Sequence, residues 1–169
     1  YIHDRPTRLK NIKYVKKSIL VFDIVPPRIR FNSFLGVPYD YYTYANTKKF
    51  IDDIIYSFYD FNIYLKHKRG HVNNVHDPRY INHINKLISN NKIKVLDYDL
   101  SVKNLANGFD CAIAIPYSSP ILYTSKFIKS LYYDPTGLLE DDGAYTHKMK
   151  FIKSLNALQR VYQDLSKKF

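Results

Sequence analysis

Apolar runs of strand length alternate along the chain with longer stretches whose apolar residues recur every three or four positions. Residues 18–24 (SILVFDI) are continuous and rich in branched side chains, the pattern of a strand buried on both faces. Pro26 and Pro27 end it. Residues 31–45 are aromatic and turn-rich and predict an irregular loop or a short helix. A cap at Asn46 or Thr47 starts a helix to about residue 60, with Phe50, Ile51, Ile54, Ile55 and Phe58 on one face. Residues 62–66 (NIYLK) read as a strand, and the polar loop KRGHVNNVHD follows. Asp77 caps a second helix, with Pro78 in its first turn and Tyr80, Ile81, Ile84, Leu87 and Ile88 inward. Strands are expected again at residues 92–97, 111–115 and 130–133. Between them, Ser101 caps a short helix that Gly108 stops, and Ser118, Ser119 and Pro120 open another to about residue 129. A closing helix is predicted from about residue 145 to 167, its seam formed by Ile152, Leu155, Leu158, Val161, Tyr162 and Leu165.

Strands alternating with helices imply an α/β fold: a Rossmann-like parallel sheet of about five strands with helices on both faces. The chain has 169 residues, the size of one domain, assigned to residues 18–169 behind a polar, basic arm at 1–17. A single cysteine, Cys111, excludes a disulfide framework and a multi-cysteine zinc site, and in an apolar strand it reads as a small buried hydrophobe. No apolar run has the roughly 18 residues of a membrane-spanning helix. The net charge of +11 points toward polyanions until it is located. Residues 1–30 hold +6 and residues 145–169 hold +5, while the stretch between is balanced. The folded body therefore lacks the basic stripe of a duplex binder, and nucleic acid is not an expected partner.

In an open parallel sheet, ligands bind where strands end and lead into helices. Four such loops carry suggestive residues. In Pro116-Tyr117-Ser118-Ser119-Pro120, two hydroxyls beside unpaired helix-start amides suit a phosphate oxygen, although capping alone also explains Ser-Ser-Pro. Lys66-His67-Lys68-Arg69 ends the second strand and could neutralise a phosphate, or be a solvated basic loop. Asp134-Pro135-Thr136-Gly137 offers Asp134 and Thr136 to sugar or ribose hydroxyls, or is a plain turn. Asp97 and Asp99 follow the third strand, where Asp99 can help cap the next helix. GxGxxG, GxxxxGK[ST] and GxSxG are all missing, so dinucleotide, P-loop and hydrolase-triad readings lack their fingerprints. His71 and His76 come without HExxH or Cys/His spacing, and no metal site is expected.

The run AIAIPYSSPILYTSKFIKSLYYDPTG resembles the signature of bacterial surface-polysaccharide biosynthesis proteins with a PFTS motif. Pro116, Tyr117, Ser118 and Ser119 stand at the motif's four positions, with Tyr for Phe and Ser for Thr. Tyr132, Tyr133, Asp134 and Pro135 match a second element, and ILVFDIVP, LKHKRG and HDPRY are also similar to the family. The likeness covers about residues 18–160, its distinctive part being the stretch from PYSS to DPTG. That family resembles GT-B glycosyltransferases, and is similar to bacterial sialyltransferase-like and Kdo-transferase-like enzymes.

The resemblance implies that Ser118 and Ser119, with Tyr117, hold a donor phosphate, and that Lys66, Lys68 and Arg69 lie near the nucleotide. The His-Pro pair of sialyltransferase-type enzymes has no counterpart at Lys66-His67-Lys68-Arg69, which counts against a CMP donor. GT-B enzymes need two α/β halves, and the chain supplies one. It opens on Tyr1, and is expected to be the donor-binding half of a longer protein, with the catalytic base in the other half. The expected activity is transfer of a sugar from a nucleotide-sugar to a glycan or lipid-linked glycan acceptor in capsule or surface polysaccharide synthesis. It is expected to be independent of metal and cofactor, in the cytoplasm. Two alternatives stay open: a non-catalytic Rossmann-like domain binding a nucleotide or partner, and a polyanion or membrane-surface binder at the inner face of the plasma membrane.

Overall fold

A computed structural model describes residues 13–27, 41–67, 75–141 and 149–169. Its elements are β1 (Ser18–Asp23), α1 (Tyr44–Ser57), β2 (Asn62–His67), α2 (Pro78–Ser89), β3 (Lys94–Val95), α3 (Val102–Leu105), β4 (Cys111–Ala114), α4 (Pro120–Thr124), β5 (Lys129–Tyr133), β6 (Lys150–Ile152) and α5 (Leu155–Ser166). The six strands form one parallel sheet in the order β3-β2-β1-β4-β5-β6. The chain builds outward from β1 to β3, then returns to the other side of β1 and continues to β6. This is the doubly wound, Rossmann-like arrangement that the alternation of patterns predicts.

β1 is buried along its whole length because it serves two cores. Ile19 and Val21 join Phe50, Ile54, Tyr80 and Leu158 beneath α1, α2 and α5. Leu20 and Phe22 join Leu105, Phe109 and Ile121 beneath α3 and α4. The side-chain period of two divides one apolar run between the faces.

The C-terminal region departs from expectation. Residues 150–152 form a sixth strand where a long helix was expected, and α5 begins only at Leu155. Ile152 enters the first core while Phe151 packs on the second, so the segment alternates as a strand does. Ser154 is extended, and its side chain accepts from the Ala157 amide at 3.3 Å, which fixes the helix start. Ser154→Ala is therefore expected to cost about 1 kcal/mol in urea unfolding; an unchanged midpoint would refute the cap.

Smaller differences have equally local causes. Thr43, not Asn46 or Thr47, caps α1: it accepts from the Asn46 amide at 3.2 Å, while Thr47 is buried and donates to the Thr43 carbonyl at 2.7 Å. α4 closes after five residues, where the Thr124 hydroxyl turns back on the Ile121 carbonyl at 3.0 Å. Asp77 and Ser101 cap α2 and α3 as predicted. Of the arm, residues 13–17 join the body: the Val15 amide donates to the Gly108 carbonyl at 3.0 Å, and the Lys17 carbonyl accepts from the Asn62 amide at 2.7 Å. Residues 1–12, most of the loop expected at 31–45, and Lys68, Arg69 and His71 lie outside the described residues.

Candidate functional site

The carboxyl edge of the sheet gathers most of the predicted loops around β1. Phe22 pairs with Lys66 of β2 on one side and with Ala114 of β4 on the other. Neighbouring strands lie roughly 4.8 Å apart, so the end of β2 and the turn after β4 begin about 10 Å from each other.

Asp23 ends β1 and is fully buried. Both its carboxylate oxygens lie 2.9 Å from His67 Nδ1, and the Tyr80 hydroxyl donates to its Oδ2. Burial lowers the proton affinity of His67, but the charge and hydrogen bond of Asp23 outweigh it and the neighbouring Lys66, leaving the imidazole pKa raised. The Tyr80 phenol is pushed well up by burial and then by Asp23. Sequence reasoning missed Asp23 as a site residue and passed over His67 within its basic loop. The available signal was a carboxylate ending an otherwise apolar strand, since such a charge needs partners when buried.

Lys66 is nearly buried, and its ammonium donates to the Tyr98 carbonyl at 2.8 Å. Burial lowers its pKa, opposed by Asp97, Asp99 and Asp23. It thus fastens the loop after β3 to the edge of the sheet. Asp97 organises that loop by accepting from the Asp99 amide at 3.1 Å, while the side-chain cap of α3 is Ser101.

The turn after β4 separates the two serines. Tyr117 holds φ at +63°, a left-handed conformation that bulky residues rarely adopt. Ser118 is completely buried, and its hydroxyl has no hydrogen-bond partner among the described residues. Ser119 is exposed and makes no side-chain cap. The Tyr42 hydroxyl braces the turn by donating to the Pro116 carbonyl at 2.8 Å. The Tyr117 ring is exposed, its hydroxyl 3.5 Å from the Glu140 carbonyl.

Asp134, after β5, is fully buried. Its Oδ1 accepts from the Tyr41 hydroxyl at 2.8 Å, the Thr136 amide at 2.8 Å and the Thr136 hydroxyl at 2.7 Å, and its Oδ2 accepts from the Leu139 amide at 2.9 Å. Burial raises its pKa, but these donors outweigh it and leave the carboxyl more acidic than usual. Asp134 and Thr136 are thus engaged with each other and with the loop's own amides. Among the described residues, no three His, Cys, Asp or Glu side chains group as metal ligands would.

The sequence model of the family described as polysaccharide biosynthesis PFTS motif protein matches residues 1–162. The chain belongs to this family. No curated protein and no solved structure matches it. A PFTS motif protein takes part in polysaccharide biosynthesis, and here the tetrapeptide Pro116–Ser119 that resembles the motif is the braced turn beside β1. No described helix of this PFTS motif protein is long and apolar enough to cross a membrane.

Proposed function

We propose that the chain is the donor-binding half of a glycosyltransferase, of GT-B type, that uses a nucleotide-sugar to build a bacterial surface polysaccharide. The observation that carries this reading is the strand order, which sets the Pro116–Ser119 turn and the Asp23–His67 pair on either side of the switch point beside β1. Ligands of doubly wound sheets bind at such points.

The chemistry follows from what leaves. The acceptor oxygen bonds to the anomeric carbon, the bond from that carbon to the donor phosphate oxygen breaks, and the electron pair stays on the phosphate. The growing negative charge needs donors already in place. Ser119 and the backbone of its turn supply them, while the Ser118 hydroxyl lies buried behind, with no hydrogen-bond partner among the described residues. Asp23 engages His67 Nδ1 and raises the proton affinity of the ring at this edge. Lys66 shapes the loop rather than reaching outward. The acceptor's proton passes to a base in the acceptor-binding half. The family's role in polysaccharide biosynthesis and the α/β fold support this reading over a non-catalytic domain.

The test is calorimetric titration with UDP, GDP, CMP and TDP. One of them should bind, and Ser118→Ala combined with Ser119→Ala should weaken it roughly tenfold, the worth of one or two hydrogen bonds to a charged group. Binding that is unaltered by the double substitution, or absent for all four nucleotides, refutes the proposal.

A further inference from the structure

A groove of about 800 Å³ opens between α1, α2 and α5. It lies toward the ends where α1 and α2 turn back into β2 and β3, opposite the carboxyl edge just described. Three tyrosines line it, Tyr56 and Tyr59 from α1 and its end, and Tyr162 from α5. Tyr56 is 64% exposed and Tyr59 75%, high values for residues beside an apolar core. Tyr162 is held edge-on by Phe58 and Phe61, each at 5.9 Å between ring centres, and Tyr59 leans on it at 5.4 Å. The aromatic wall is therefore pre-formed.

Polar groups alternate with the rings. Gln159 and Gln163 flank Tyr162 at helical spacing, and Asn90 faces them from the end of α2. Deeper lies Ser57, 3% exposed, with a hydroxyl that has no hydrogen-bond partner among the described residues. One carboxylate, Asp52, and one ammonium, Lys92, leave the lining without net charge. In a chain of charge +11, an uncharged groove does not suit a polyanion or an anionic lipid surface. Ile55 and Leu87 also line the groove, but a purely apolar helix would leave the carboxamides unpaired beneath it.

We propose that this groove binds a segment of uncharged glycan, the apolar face of a sugar ring lying on Tyr56 or Tyr59 and its hydroxyls bonded to the carboxamides and Ser57. The inference rests on the family's role in polysaccharide biosynthesis, not on the nucleotide site. Because the groove is at the far end of the sheet, glycan held there does not react there. It tethers the growing polymer and raises its local concentration at the acceptor end.

Affinity gel electrophoresis of the full chain, with surface polysaccharide purified from the cells that encode it as the probe, tests this. The wild type should be retarded, and Tyr56→Ala combined with Tyr59→Ala should bind roughly tenfold more weakly, on the scale of stacking on one aromatic ring. If that variant melts early, Gln163→Ala serves instead and should weaken binding several-fold. Lack of retardation of the wild type, or equal retardation of a folded variant, overturns the proposal. Nucleotide titrations of the same tyrosine variants should match the wild type. Failure of the donor reading would thus appear in calorimetry and failure of this one in the gel.

Discussion

Asp23→Ala is expected to lower stability by about 3–5 kcal/mol, the usual penalty for removing one partner of a buried ionic pair. The imidazole of His67 and the phenol of Tyr80 would both lose their acceptor in a site with little water. For a chain of this length that is a fall of about 10 °C in melting temperature, measurable by calorimetry. Asp23→Asn separates charge from shape, and its deficit should depend on pH. The raised pKa of His67 means that the folded state holds the imidazole proton more tightly than the unfolded one. That stabilisation is fully present below the ordinary imidazole pKa of about 6.5 and is lost as pH rises through the higher folded value. The Asn variant should therefore lag most below about pH 6.5 and recover part of the gap at alkaline pH. A deficit that stays flat across this window would show that His67 carries no charge in the wild type.

Asp134→Ala should cost about 2–4 kcal/mol, less than the first change because part of the loop can turn to water. Four donors lose their acceptor at once, among them the half-buried hydroxyl of Tyr41. The damage should be local before it is global. Amide exchange at Thr136 and Leu139 should accelerate strongly while β1 and β4 keep their protection. The acid side carries the matching sign. Because the carboxyl is more acidic in the folded state, its contribution is present above about pH 4 and disappears as pH falls through the lower folded value. Asp134→Asn should accordingly be less sensitive to acid than the wild type. Unchanged exchange at Thr136 in the Ala variant would mean that the loop does not depend on this carboxylate.

Whether a feature could be read in advance depended on how many structures share its pattern. β1 and β4 were legible because a continuous apolar run bounded by turn residues has few other places to go in a short α/β chain. Asp77 and Ser101 were legible because a short polar side chain before a helical run satisfies amides that nothing else reaches. β6 was hidden, since Ile152 sits where both a strand and the seam of a longer helix would put it. The site was legible as a place rather than as contacts. Lys66 at the end of β2 and the loops at Ser118 and Asp134 do lie at one edge, but a serine that faces solvent and one that faces the core look alike in sequence, as Ser119 and Ser118 show. Asp23 was hidden because its partners, His67 and Tyr80, are 44 and 57 residues away.

Cys111 lies at the start of β4 with no exposed surface, and burial pushes its thiol pKa up to about 12. Near neutrality it stays protonated and out of reach of alkylating reagents. The native protein thus offers a silent background for maleimide chemistry. A cysteine introduced at Tyr117 or at Tyr59 would be the reactive thiol in the molecule, and a fluorophore or spin label placed there would report on one end of the sheet without contamination from the other.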